Sequence, residues 1–158
     1  IHELMPQPFD WCTVPTGFLS NFQTQEEVKT YRISKYPVTN SQFQLFVDDP
    51  HGYENEEWWT GSQSLHIWRK NHPVPLNPRF AKPNHPRENV TWYEAIAYCR
   101  WLGDKTQSRI ELPTVAQHVR AAFGDDHRVY PWGNEFSSSL CNTRENMIDR
   151  TTPGLPPV

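Results

Sequence analysis

Three times in this chain of 158 residues a threonine stands three positions ahead of a Gln or Glu at the head of an amphipathic run: Thr39 with Gln42, Thr91 with Glu94, and Thr114 with Gln117. The pairing is a reciprocal cap. The threonine oxygen accepts an orphan N–H of the first helical turn, and the Gln or Glu side chain reaches back to the threonine N–H. Behind each box the apolar residues recur at helical spacing. Phe43, Phe46 and Val47 follow the first, Ala95, Cys99 and Leu102 the second, and Val115, Val119 and Ala122 the third. Gly103 and Gly124 stand where C-terminal caps belong. Pro113 confines Leu112 to extended backbone just ahead of the third helix. Three helices are therefore predicted, and the rest of the chain must be built around them.

The rest is irregular. Residues 1–20 are punctuated by Pro6, Pro8, Pro15 and Gly17, and Gly17-Phe18-Leu19 reads as the opening of a strand. Residues 28–34 alternate and predict one strand, with Val28, Thr30, Arg32 and Ser34 on one face and Tyr31 and Ile33 on the other. Residues 48–89 read as a long loop, and Trp58, Trp59 and Trp68 favour an ordered, packed loop over a linker. Hydrophobic residues make up 36% of the chain, with 15 Pro against 7 Gly, which predicts an α+β domain with little regular structure. Seven Trp, six Tyr and eight Phe let a core form from few side chains. No internal repeat is present, and 1–158 reads as a single, incomplete domain.

Charge and cysteine usage remove several function classes. The net charge is −3 with no basic run, so nucleic acid is not an expected partner. No stretch approaches the ~20 apolar residues of a membrane span, so no membrane partner is expected either. Cys12, Cys99 and Cys141 lack paired spacing and are expected to be buried as small hydrophobes in a cytoplasmic protein. The seven histidines show no zinc-site spacing. Asn89-Val90-Thr91 matches a glycosylation sequon, but Thr91 is wanted as a helix cap, and a bacterial cytoplasmic origin would leave the match silent.

Four blocks in order carry a family resemblance. They are Tyr36-Pro37-Val38-Thr39-Asn40-Ser41-Gln42-Phe43; Asn89-Val90-Thr91-Trp92-Tyr93-Glu94-Ala95 running on to Tyr98-Cys99-Arg100-Trp101-Leu102; Leu112-Pro113-Thr114 with Ala121-Ala122; and Tyr130-Pro131-Trp132-Gly133-Asn134 with Cys141-Asn142-Thr143. Together they resemble the sulfatase-modifying-factor family, best known for the formylglycine-generating enzyme. The resemblance implies an FGE-sulfatase fold similar to C-type lectins, α+β and rich in loops. The chain departs from the family pattern at 112–124, where an acid, a Trp and an Arg of the family are replaced by Val115, His118 and Phe123. That departure suggests a buried polar network exchanged for apolar packing.

The resemblance also implies chemistry. The formylglycine-generating enzyme holds copper(I) with two cysteines in its C-terminal part, and none of the three cysteines here falls on those positions. Copper would therefore belong to this protein only if residues beyond Val158 supply the pair. A structural calcium is implied at Asn142, Thr143, Asn146 and Ile148 through amide and carbonyl oxygens. Tyr53, Trp58, Trp59 and Trp68 are the candidate ligand contacts, with core packing under the loop as the competing expectation. Two functions follow. The first is a non-catalytic, lectin-like module that binds a protein or small ligand through its loops. The second is the N-terminal part of a formylglycine-generating oxidase or related sulfoxide synthase. Either way the expected partner is another protein or the remainder of the same polypeptide.

Overall fold

All three predicted capping boxes are formed. In each, the threonine side chain accepts from the backbone of the third helical residue, and that residue's side chain accepts from the threonine N–H. They open α1 (Asn40–Asp48), α3 (Trp92–Thr106) and α4 (Val115–Phe123). The structure, a computed structural model, describes residues 4–19, 26–126 and 128–141. Its contacts divide the chain into two compact units, one built from 1–7 and 37–112, the other from 8–36 and 113–158.

The first unit holds α1, a 3-10 turn at Glu56–Trp59, α2 (Gln63–Asn71) and α3. Part of the segment read as a long loop is thus helical. Ser62 caps α2 by accepting from the Leu65 N–H, a start signal that lacks the Gln or Glu partner of the other boxes. Gly103 does not end α3, which continues to Thr106 and is capped by Gln107 in the left-handed conformation. Gly103 is instead a point of close approach, because a Cβ there would stand 2.8 Å from the Ser108 carbonyl oxygen.

α1 packs on α3 through rings. Phe43, Phe46, Tyr53, Trp59 and Trp101 are almost wholly buried, and Tyr98 joins them. Phe46 lies at the centre, with ring centroids 5.7 Å from Phe43, 5.5 Å from Tyr53, 5.9 Å from Tyr98 and 5.4 Å from Trp101. Such tilted and edge-to-face pairs add to the area each ring removes from water. The indole N–H of Trp59 donates to the Tyr53 carbonyl, that of Trp58 to the His51 carbonyl, and that of Trp101 to Asp49, so none of these buried donors is orphaned.

The second unit begins with a broken hairpin. β1 (Trp11–Val14) pairs antiparallel with β4 (Tyr31–Ser34), and β2 (Gly17–Leu19) with β3 (Glu26–Val28). The residue offset is the same in both ladders, so one register runs through. The expected single strand over 28–34 is interrupted at Lys29-Thr30, opposite Pro15-Thr16. Pro15 has no N–H to give the ladder. Thr16 and Thr30 fill the gap: each backbone N–H donates to the other's hydroxyl at 3.0 Å. The break also changes which residues pack inward. Leu19, Val28 and Ala116 form the small core, and Tyr31 and Val119 lean on it. Val28 and Tyr31, assigned to opposite faces by alternation, therefore share one core. α4 packs on β2 and β3, and the Tyr31 hydroxyl donates to the Gln117 carbonyl.

Candidate functional site

The polar groups of the first unit gather round the second capping box. Glu94 is 2% exposed. One carboxylate oxygen accepts from the Thr91 N–H at 2.8 Å and its hydroxyl at 2.9 Å, and the other accepts from the Tyr53 hydroxyl at 3.2 Å. Burial, with the charge and hydrogen bond of Glu94, pushes the Tyr53 phenol well above its ordinary range. The Arg69 guanidinium lies over two rings, 5.0 Å from the centre of Tyr53 and 5.4 Å from that of Trp59, and donates to the His72 carbonyl. Arg87 lies 4.7 Å over Phe43 and donates to the Leu76 carbonyl, and burial holds its pKa below the usual arginine value. Arg100 ties α3 to the 3-10 turn through the carbonyls of Trp58 and Thr60. The Nε atoms of Arg69 and Arg87 are buried with no hydrogen-bond partner among the described residues, and these cations are held by their carbonyl bonds and by the ring faces beneath them, pinning the segment 51–89 onto the aromatic core.

Asp49, at the C-terminal end of α1, anchors a second cluster. Its carboxylate accepts from Trp101 at 2.9 Å and pairs with Lys105 at 2.7 Å, and it caps the His51 N–H. Burial alone would raise its pKa. The bonds from Lys105, Trp101 and His51 outweigh that and hold it at about 2.

The rings proposed as ligand contacts are mostly internal. Tyr53, Trp58 and Trp59 are buried, with Trp59 at 0% exposure, and Trp68 is half-buried against Trp59, Tyr93 and His72. This is where the competing expectation of core packing put them, and buried rings have no free face to offer a ligand. The four residues expected to bind calcium, Asn142, Thr143, Asn146 and Ile148, lie outside the described residues.

The three cysteines form no disulfide, and their settings differ. Cys12 is exposed on β1, which corrects the expectation of burial, because it faces outward on a two-stranded ladder. Cys99 lies on α3, and burial together with the nearby Glu111 charge pushes its thiol up to about 11. Cys141 follows the 3-10 turn Ser138–Leu140 and donates to the Ser137 carbonyl. A copper(I) site needs thiolates brought together. A thiol held protonated and two others on separate elements do not fit that ion. Among the described residues no group of three or more His, Cys, Asp or Glu side chains is placed to hold a metal.

In α4 the family departure has a different consequence from the one expected. Val115 is 75% exposed, His118 is exposed and Phe123 is half-buried, so these replacements do not repack a core. The buried charged member of the block is Arg120, 6% exposed, which sequence reading passed over. It lies beside Gly17, where a Cβ would come within 2.3 Å of its guanidinium. A basic residue at i+4 from buried Ala116, on the core stripe of α4, was the available signal.

Comparison with known proteins places this arrangement. The profile of the sulfatase-modifying factor enzyme 1-like domain matches residues 13–153. The chain is 31% identical to hercynine oxygenase of Mycolicibacterium thermoresistibile over 68% of its length and 26% of that protein's. It is 44% identical to the formylglycine-generating enzyme of Thermomonospora curvata over 51% of its length and 24% of that protein's. It is also 32% identical to the serine/threonine-protein kinase pkn1 of Chlamydia caviae over 68% of its length and 16% of that protein's. The chain thus spans only about a quarter, or less, of the length of these relatives.

Proposed function

This chain belongs to the sulfatase-modifying factor enzyme 1-like family, and we propose that it is the scaffold-bearing portion of an oxygen-dependent enzyme that oxidises a thiol substrate. The observation that carries the reading is the fate of Tyr53, Trp58 and Trp59. Their burial withdraws these rings from any loop-borne binding surface and supports reading this stretch as a rigid support. Relatives named hercynine oxygenase and formylglycine-generating enzyme give the chemical class. The reactive groups then come from residues other than the three cysteines described above.

The test is oxygen uptake by the polypeptide that carries this chain, with copper(I) or iron(II) supplied. One arm uses a cysteine-containing peptide and the other uses hercynine with a thiol. Oxygen consumption coupled to a mass change in either substrate is expected. No uptake in either arm with either metal overturns the reading. The kinase relative favours a second one, in which the domain is a binding module of a larger signalling protein. Retention of a protein partner by a variant that consumes no oxygen would support that alternative.

A further inference from the structure

In the first unit a file of aromatic rings runs from the deepest part of the core to solvent. Trp59, at 0% exposure, has its ring centre 5.7 Å from that of Trp68, and the two are stacked. Trp68 lies 5.6 Å from Tyr93, and Tyr93 lies 5.5 Å from Trp92, which is 63% exposed. His72 stacks on the flank of Trp68 at 4.3 Å. Burying rings for stability explains Trp59 and its neighbours. It does not explain why the file continues through half-buried Trp68 and Tyr93 to a tryptophan left in water.

The charges along the file are unequal. Arg69 sits over the rings of Tyr53 and Trp59, at the inner end only. A cation over a π face makes removal of an electron from that ring harder. Toward Trp92 the rings are increasingly hydrated, and water stabilises a positive hole. An electron vacancy created at Trp59 therefore runs downhill, outward.

We propose that Trp59, Trp68, Tyr93 and Trp92 form a hole relay that carries oxidising equivalents from the core to the surface. An oxygen-derived one-electron oxidant, such as a peroxyl radical, takes one electron from Trp59 and, with a proton from water, becomes a hydroperoxide. Trp59 is refilled by Trp68, and Trp68 by Trp92 through Tyr93. The Trp92 radical cation releases its indole proton to water. A thiolate in solution returns one electron, water returns the proton, and the thiyl radicals couple to a disulfide. The core is left chemically unchanged. The relay stands apart from the proposed activity, since it needs only an oxidant of this class.

The test injects the hole at the inner end. Thr60, exposed and next to Trp59, is replaced by cysteine in a Cys12→Ser, Cys141→Ser full-length chain and labelled with a ruthenium polypyridyl photosensitiser. After flash oxidation without added thiol, peptide mass spectrometry maps the oxidised ring. Oxidation is expected at Trp92, with Trp59 spared. In Trp68→Phe the Trp92 product is lost and Trp59 becomes oxidised. Tyr93→Phe, a smaller change to the fold, is expected to weaken transfer in the same direction. Oxidation confined to Trp59 in the parent chain, or Trp92 oxidation unaffected by both substitutions, overturns the relay.

Discussion

Glu94 and Gln117 hold the same position in the same capping motif, one in each unit, and their surroundings could hardly differ more. Glu94 is buried among Tyr53 and the arginine-covered rings, so its carboxylate serves the helix cap and the core together. Gln117 returns to the Thr114 N–H at 2.8 Å on an exposed helix start and serves the cap alone. The contrast extends to both units. The first rests on interlocked rings at 0–4% exposure around Phe46. The second has a described core of Leu19, Val28 and Ala116, on which Tyr31 and Val119 lean. Local capping chemistry starts a helix equally well in either setting. What differs is how much tertiary structure is hung on it.

The severest way to break the contrast is to remove a ring. Trp59→Ala deletes a side chain that stacks on Trp68, meets Tyr53 edge-on and carries Arg69 on its face. A loss of about 3–5 kcal/mol is expected, read by urea denaturation with circular dichroism. Cleavage by a protease should then appear first within 37–112. If the variant melts like the parent, the aromatic core is not what holds the first unit.

The capping pair sharpens the same point. Glu94→Ala leaves the Thr91 N–H and the Tyr53 hydroxyl without their acceptor, both in poorly hydrated places. It should cost about 2–3 kcal/mol. Gln117→Ala exposes a donor that water can satisfy, and about 0.5 kcal/mol is expected. Equal losses would show that burial adds nothing to the motif.

These boxes were the most legible part of the sequence, because capping is a local exchange of hydrogen bonds between residues three apart. The helix at Gln63–Asn71 was less legible: Ser62 signals its start, but Leu65 stands where a Gln or Glu would have completed a box. The split of the 28–34 strand was written at Pro15, half a hairpin away, and becomes visible only once the register is known. The ring cluster round Tyr53 and Trp59 could be read equally as contacts or as core, since composition gives the payload of a ring but not its depth. The spacing of Arg120 from Ala116 puts it on the core stripe of α4, but the room that its guanidinium occupies depends on Gly17, 103 positions earlier in the chain, which that spacing does not report. The family itself was legible, because four blocks in fixed order survive even where single residues have changed.

Acid tests the first unit from another side. Asp49 has a folded pKa of about 2 against an unfolded value of 3.8. A depressed carboxyl stabilises the fold fully above its unfolded pKa and loses that contribution as pH falls through the folded one. The shift corresponds to about 2 kcal/mol, and the Asp49 side chain, 15% exposed, is shielded enough for most of it to count. The stability difference between the parent and Asp49→Asn should therefore be constant above about pH 4 and shrink toward pH 2. A difference independent of pH would mean that Trp101 and Lys105 hold the carboxylate no better than water does.

The smallest effect is expected where a buried charge suggests the largest. Arg120 is 6% exposed, yet its Nε and Nη1 form no hydrogen bond among the described residues, and its pairing with Asp125 spans 3.4 Å to a carboxylate that is itself mostly in water. A buried cation so weakly compensated carries a desolvation cost that its Coulombic gain does not clearly exceed. The guanidinium itself fills the space beside Gly17, and the end of an apolar chain of similar length would fill it as well. Arg120→Met should therefore leave stability within about 1 kcal/mol of the parent, whereas Arg120→Ala, which empties the same space, should cost more. If Met proves as damaging as Ala, the guanidinium itself stabilises the second unit, and that unit would resemble the first in depending on buried cations.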